Sequence, residues 1–345
     1  MRYRVNTFEP SGYLDIKGIL SCGVPFIFIV GGRGIGKTYG ALKYVLENDV
    51  FFMFMRRTQS QADLISKPDF SPFTPLNNDL HMDVRPVSVS KYNAAMVDFV
   101  EDAKTDKIRG YTCALSTISN LRGFDASRVE LLIYDEFIPE RHERPIKEEG
   151  QAFFNAYETM NRNRELKGLK PMQVLALANS NDLGNPIFME LGVVNKVVQM
   201  KKRNQLYMID NRRGLAIFLL DETEIGSRKR DTALYRLTDP ESEFMRMAVS
   251  NEFIEEDSAI IKSRPLIEYR PVVSVGEVTI YKHKDRREYY AANIRQGNPP
   301  IYTAGDADLK RYKKRFYYLW EAYLKNKIIF SDKLTLILFE MYNTK

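Results

Sequence analysis

Gly31-Gly32-Arg33-Gly34-Ile35-Gly36-Lys37-Thr38 constrains the fold of this 345-residue chain more than any other stretch. It fits G-x-x-x-x-G-K-[ST], a phosphate-cradling loop, and its flanks fit as well. Pro25-Phe26-Ile27-Phe28-Ile29-Val30 is a short apolar run between Gly23 and Gly31, which predicts a strand buried in a parallel sheet. Tyr39 to Glu47 predicts a helix that opens at the end of the loop. Glycines let the backbone curl so that successive N–H groups point at phosphate oxygens, and the helix N-terminus adds partial positive charge. In such a loop Lys37 reaches the β and γ phosphates and the Thr38 hydroxyl holds Mg²⁺. A Gly-rich turn that matched by chance would lack the strand before it and the helix after it. The stretch reads as a binding site for a nucleoside triphosphate.

Glu130-Leu131-Leu132-Ile133-Tyr134-Asp135-Glu136-Phe137 is the second anchor, an apolar strand ending in two acids. At a strand tip downstream of a phosphate loop, Asp135 binds Mg²⁺, commonly through water, while Glu136 orients and activates the attacking water. That second carboxylate points to hydrolysis rather than transfer to an organic acceptor. Val50 to Met55 predicts another buried strand, ending at Arg56-Arg57. Gln151 to Met160 has helical spacing and leads into Asn161-Arg162-Asn163-Arg164-Glu165. Gln173 to Ala178 predicts a strand ending at Asn179, where many motor ATPases sense the γ-phosphate; a turn-forming Asn is the plain alternative. Met96 to Val100 and Thr112 to Thr117 predict further strands. Residues 66–86, with Pro68, Pro72, Pro75 and Pro86, predict a loop-rich excursion. Strands alternating with helices predict a doubly wound α/β domain whose ligand lies at the carboxyl ends of the strands.

Cys22 and Cys113 are too few for a disulfide framework and predict a reducing compartment. No run approaches the ~20 apolar residues of a membrane helix, and Met1-Arg2-Tyr3-Arg4 lacks the apolar core of a signal peptide, so a cytosolic protein is expected. The formal net charge of +6 is uneven, because residues 196–345 hold 28 of the 51 Lys+Arg but 21 of the 45 Asp+Glu. This predicts a nucleotide domain over 1–195, a basic linker over 196–235 and a smaller α+β domain over 236–345. The linker carries Lys201, Lys202 and Arg203, and 226–230 reads as an exposed loop. In the last domain, 266–275, 278–283 and 288–293 predict a strand meander, 308–325 a helix, 327–330 a strand and 335–342 a closing helix. Along 308–325, Lys310, Arg311, Lys313, Lys314 and Arg315 interleave with Tyr312, Phe316, Tyr317 and Trp320. Such a pattern suits a polyanion, most simply nucleic acid. A solvated basic face with the aromatics as its core side is the alternative.

These motifs in this order resemble the DNA-packaging (encapsidation) ATPases of small protein-primed tailed phages, the phi-twenty-nine-like group. GGRGIGKTYGALKY, FMFMRRTQ, LLIYDEFIPE, NRNRE and LALANS carry the resemblance, which is strong over residues 25–190 and weak beyond. It implies a P-loop NTPase of the RecA-like, additional-strand kind that uses ATP and Mg²⁺. It implies a homo-oligomeric ring, expected to be a pentamer, at the portal of an empty prohead in the cytoplasm of the bacterial host. The ring would drive double-stranded DNA inward, with or without a packaging RNA between motor and portal. The C-terminal domain would look like an RNase H-like nuclease that has lost its activity. Position by position, the resemblance puts Lys37 and Thr38 on Walker A, Asp135 and Glu136 on Walker B, and Asn179 on the sensor. It puts Arg162 on an arginine finger supplied by the neighbouring subunit and Arg56 on a second arginine near the nucleotide. Arg122 falls on a basic residue at the subunit interface, although Leu121-Arg122-Gly123 is flanked differently from the family pattern.

Two other readings stand beside this one. A P-loop kinase or small-molecule NTPase needs no ring, but it wants a base aimed at its acceptor, against which Asp135-Glu136 speaks. A nucleic-acid-binding adaptor holding ATP as a structural ligand would not need both Lys37 and Glu136. A two-metal nuclease needs several carboxylates converging on one face, whereas 266–275 offers only Glu268 and the next two strands only Glu288. On composition alone, Arg162 and Arg164 read as surface residues paired with Glu158 and Glu165.

Overall fold

The structure is a computed structural model that describes residues 5–100, 105–121, 123–139, 143, 146–179, 183–220, 233, 237 and 260–344. Arg122 and the loop expected at 226–230 lie outside the described residues. The chain divides into two compact units, Met1–Phe253 and Ile254–Lys345.

In the first unit, α1 (Ile16–Leu20) precedes β1 (Phe26–Gly31), and α2 (Lys37–Glu47) leads to β2 (Phe52–Arg56). Then come α3 (Gln59–Ile65), α4 (Thr74–Leu80), β3 (Val84–Ser90), β4 (Asn93–Asp98), β5 (Lys107–Ala114) and β6 (Leu131–Asp135). The remainder is α5 (Glu149–Asn161), β7 (Gln173–Ala178), α6 (Pro186–Glu190), α7 (Val194–Lys202), β8 (Tyr207–Asp210) and β9 (Leu215–Leu220). The nine strands form one sheet in the order β3-β4-β5-β2-β6-β7-β1-β9-β8. From β5 to β9 all neighbours are parallel, while β3, β4 and β8 join antiparallel at the edges.

The core follows from the strand sequences. Ile27 and Ile29 of β1 join Leu20, Ala41, Leu42 and Val45 in one apolar cluster. Phe28, on the opposite face, meets Phe137, Phe153 and Phe188 edge-on. Covered on both faces, β1 is apolar without alternation, as a central parallel strand must be. Each such buried side chain is worth roughly 1.5–3 kcal/mol relative to exposure.

Three expectations for this unit need correction. The first concerns the boundary: residues 196–220 are not a linker, because α7 is a helix and β8 and β9 complete the sheet, with β9 pairing along the whole of β1. The basic residues that suggested a connector hid the fully buried run Leu215–Leu220. The second concerns 66–86, which holds α4 and the start of β3. Its prolines sit where they are tolerated: Pro68 and Pro75 in first helical turns, Pro86 on an edge strand. The third is a shift: the strand expected at 112–117 is β5, ending at Ala114, and Leu115–Leu121 is 3-10 helix.

In the second unit, β10 (Tyr269–Val275), β11 (Val278–His283) and β12 (Tyr289–Ala292) form an antiparallel meander. β13 (Ile301–Tyr302) lies parallel to β10 and β14 (Ile328–Phe330) parallel to β12, giving the order β13-β10-β11-β12-β14. Three helices follow in sequence around β14: α8 (Asp306–Arg315), α9 (Tyr317–Leu324) and α10 (Lys333–Thr344). The single helix expected over 308–325 is broken at Phe316, where φ is −117° and ψ 27°. Phe316 is buried against Tyr302 and Tyr312, each 5.9 Å away between ring centres. No proline or glycine announces this break.

Candidate nucleotide site

β1 ends at Gly31 and α2 starts at Lys37, so the intervening loop lies at the carboxyl end of a central strand. Gly34 and Gly36 adopt φ of 78° and 86°, a left-handed backbone that glycine takes without cost and that curls the loop. The Lys37 ammonium donates to the carbonyls of Gly31 at 2.8 Å and Gly32 at 2.6 Å. Lys37 is buried, with its charge held across the mouth of the loop.

The order of strands decides what faces that loop. β7 is inserted between β1 and β6, with Val30 opposite Ala178 and Asp135 opposite Leu177. Asn179, one residue beyond β7, therefore sits at the tip between the loop and the acidic strand end. Across this gap Thr38 Oγ1 donates to Asp135 Oδ1 at 2.8 Å, joining residues 97 positions apart. Arg56, at the end of β2, donates through Nη1 to Asp135 Oδ2 at 2.6 Å and through Nη2 to Glu136. Five expected residues, Lys37, Thr38, Arg56, Asp135 and Glu136, thus converge on one strand edge.

A hydroxyl and a carboxylate in contact form a hard-oxygen pair suited to Mg²⁺, which is held by few protein ligands and completes its shell with phosphate oxygens and water. Thr38 and Asp135 fit that ion. No cluster of three or more His, Cys, Asp or Glu side chains suited to a metal occurs among the described residues.

Arg162 lies elsewhere. It caps the far end of α5 with φ of 46°, and its guanidinium donates to the Phe124 carbonyl at 2.5 Å, with Asp125 3.8 Å away. Arg164 donates to the Val129 carbonyl. Arg162 meets Glu158 only through its backbone N–H, which donates to the Glu158 carbonyl at 3.1 Å, and among the described residues neither guanidinium pairs with the Glu158 or Glu165 carboxylate; Glu165 instead accepts from Asn161. At the other end of α5, Glu149 accepts from Arg57 at 2.6 and 3.0 Å, and both side chains are fully buried. That ion pair was not expected. The double arginine was visible in the sequence, but its partner lies 92 positions away.

The candidate nucleic-acid residues fall into two groups. Lys201 and Lys202 close α7 and Arg203 caps it, with Lys202 and Arg203 exposed. Lys310, Arg311, Lys314 and Arg315 are exposed on α8, and Lys313 is partly buried. Tyr312 and Phe316 are buried, so these two aromatics are the core side of the helix and the cations its solvent side, whereas Tyr317 is exposed. Cations in a last turn also complement the helix dipole, a structural role that needs no partner. No helix among the described residues is long and apolar enough to cross a membrane.

The family model for the Podovirus DNA encapsidation protein (Gp16) matches residues 8–285. The DNA packaging protein of Bacillus phage phi29 is 26% identical over 263 residues, covering 74% of this chain and 69% of the relative. That of Bacillus phage B103 is 26% identical over 242 residues, covering 69% and 67%. Among solved structures, the bacteriophage Phi-29 viral genome packaging motor assembly matches with a TM-score of 0.66 at 18% identity, over 98% of this chain and 99% of that one. The Phi-28 gp11 DNA packaging motor matches with a TM-score of 0.64 at 20% identity, over 95% and 97%. At these identities the structural likeness speaks to the fold.

Proposed function

The chain belongs to the Podovirus DNA encapsidation protein (Gp16) family, and from that premise we propose that it is the ATPase of a motor that drives double-stranded DNA into a prohead. The observation that carries this reading is the contact of Thr38 with Asp135, flanked by Lys37, Arg56 and Glu136. It unites a phosphate cradle, a magnesium pair and a carboxylate base on one edge of the sheet.

The backbone N–H groups of residues 31–38 bind the triphosphate, and Lys37 turns from the loop carbonyls to the β and γ phosphates. Thr38 and Asp135 would hold Mg²⁺, which neutralises charge developing on the phosphate oxygens when bound. Glu136 orients the attacking water and accepts its proton. Arg56 fixes the direction of both carboxylates, and Asn179 reads the γ-phosphate from the tip of β7.

Arg162 serves as the arginine finger of an adjacent subunit. α5 has 13 residues and so rises ~20 Å at ~1.5 Å per residue. Its first residue is tied to Arg57, the neighbour of Arg56, so Arg162 stands a helix length from the carboxylates of its own chain. An always-charged planar guanidinium suits the role, and such fingers accelerate phosphoryl transfer by ~10³–10⁵. The subunits form a closed ring at the portal, expected to number five, which electron microscopy with an ATP analogue and DNA would count.

The second unit binds DNA without cutting it and derives from an RNase H-like nuclease. In support, none of the five strands β10 to β14 contains an Asp or Glu. Glu268 lies 3.6 Å from His283, and Glu288 accepts from the Tyr269 hydroxyl at 2.5 Å. Metal-dependent cleavage of DNA by the purified protein would overturn this part.

ATP hydrolysis stimulated by long duplex DNA is the expected result for the whole reading. Phosphoryl transfer to a small acceptor, or hydrolysis indifferent to DNA, would refute it. For the finger, two inactive variants, Arg162→Ala and Glu136→Gln, are mixed. A subunit that keeps Glu136 borrows Arg162 from its neighbour, so mixed rings regain part of their activity. Co-assembly with bound ATP but no recovery would rule out action in trans.

A further inference from the structure

Residues 8–16 run along the phosphate loop and leave one aromatic ring bare beside it. A tight turn shapes the segment: Glu9 N–H donates to the Tyr13 carbonyl at 2.8 Å, Gly12 N–H donates to Glu9 at 2.9 Å, and Gly12 takes φ of 86°. Leu14 N–H then donates to the carbonyl of Ile35, inside the loop, at 3.2 Å. Two glycines admit the segment. A Cβ on Gly36 would stand 3.0 Å from Tyr13 Cδ1, and one on Gly40, a helical turn later, 3.0 Å from Ile16 Cγ1. Leu14 and Ile16 are buried, and that alternation turns Tyr13 outward, where it is 49% exposed. Its hydroxyl makes no hydrogen bond among the described residues, and its ring stacks on no other ring there.

Tyr39, which follows Thr38 directly, is 36% exposed, and its hydroxyl donates to Asp79 at 2.5 Å. With Lys37, Thr38 and Asp135 engaged at the γ end of a bound triphosphate, the nucleoside is the part still lacking a partner. A rigidly held, half-exposed aromatic face suits a planar base, because stacking needs only a π-face. We propose that Tyr13 is the platform on which the base of the bound nucleoside triphosphate stacks. The proposal rests on the nucleotide reading of the P-loop and adds to it the residue that recognises the nucleoside.

Equilibrium binding of ATP and of inorganic tripolyphosphate to the full-length protein separates the two. Tyr13→Ala is expected to weaken ATP binding about tenfold and to leave tripolyphosphate binding unchanged, while Tyr13→Phe keeps wild-type affinity for both. Equal weakening of both ligands would make Tyr13 a prop for the loop and overturn the proposal, as would ATP binding unchanged in Tyr13→Ala. In Tyr13→Trp, ATP should quench indole emission beyond any change seen in the wild type, whose single tryptophan is Trp320, and tripolyphosphate should not. Absence of that extra quenching also overturns the platform. Failure of the wild type to bind ATP at all would instead strike the nucleotide reading itself.

Discussion

At Glu136 the backbone takes φ of 56°, in the left-handed region that a side chain with a Cβ seldom adopts. Such a conformation persists where its surroundings over-determine it. Here Arg56 grips the carboxylate, and the following N–H, of Phe137, donates to Leu177 at 3.1 Å. The geometry aims a carboxylate off the end of β6 instead of back along it. Glu136→Gln is therefore expected to bind ATP with unchanged affinity and to lose hydrolysis, whereas Lys37→Ala loses affinity first. Titration with ATP alongside a phosphate-release assay distinguishes the two, and normal turnover in Glu136→Gln would remove it from the role of base. Beside this site, Arg57 and Glu149 are a buried two-point ion pair. Removing one partner of such a pair typically costs 3–5 kcal/mol, because the remaining charge stays in a low-dielectric interior. Glu149→Ala should fall near ~3 kcal/mol, since Glu143 lies 3.5 Å from the same guanidinium. Urea unfolding measures it, and a loss below ~1 kcal/mol would mean that the pair adds little.

α5 is the element whose two ends have different tasks. Its start is locked to β2 through Glu149 and Arg57, and its end is closed by two successive left-handed residues, Arg162 and Asn163. In the proposed reading it leads from the nucleotide site to Arg162 as a rigid spacer rather than a flexible arm. α8 shows a different kind of control. Asp308 accepts from both the N–H and the hydroxyl of Thr303, at 2.9 and 2.8 Å, and from Arg311. Those hydrogen bonds, the Thr303 backbone first, hold its carboxyl down at about 2. A carboxyl whose pKa is depressed on folding contributes stability above its unfolded value near 3.9 and loses it as pH falls through the folded value. The difference in Tm between the wild type and Asp308→Asn should be constant above pH 5 and shrink between pH 4 and pH 2. A difference that does not change with pH would mean that the charge of Asp308 is irrelevant to its hydrogen bonds with Thr303.

For the whole molecule, charge separates the two units. Residues 254–345 carry 17 Lys+Arg against 12 Asp+Glu, whereas 1–253 carry 34 against 33. The cations of α8 stand on the solvent side of a helix whose Tyr312 and Phe316 are core. Replacing Lys310, Lys314 and Arg315 by Ala should therefore leave folding intact. Binding of duplex DNA falls linearly with log salt, with a slope of about −0.9 per phosphate contacted. The triple variant should flatten that slope by about one unit for each residue that touches phosphate. An unchanged slope would assign these cations to the helix dipole alone.

The sequence by itself determined which residues stand together at the strand ends. A phosphate loop needs glycines at fixed spacing, and an apolar strand closing in Asp135-Glu136 declares itself locally, so Lys37, Thr38, Asp135 and Glu136 were legible. The apolar runs of β1, β2, β6 and β7 were legible for the same reason: a strand buried on both faces is apolar through its interior, with Arg56, Asp135 and Gln173 only at strand ends. The end of the nucleotide domain was not legible, because α7 and β8 are polar outside, and only the pairing of β9 with β1 and of β8 with β9 reveals 207–220 as sheet. Nor were the break at Phe316 and the places of the prolines, which depend on packing and on a sheet edge, not on local propensity. Only the tertiary structure inserted β7 between β1 and β6, brought Arg56 onto two carboxylates, joined Arg57 to Glu149 and laid Tyr13 on the loop. Those relations join segments from about 20 to about 150 positions apart, and strand order in a sheet is decided by which faces can be buried together, a property that no window of sequence contains.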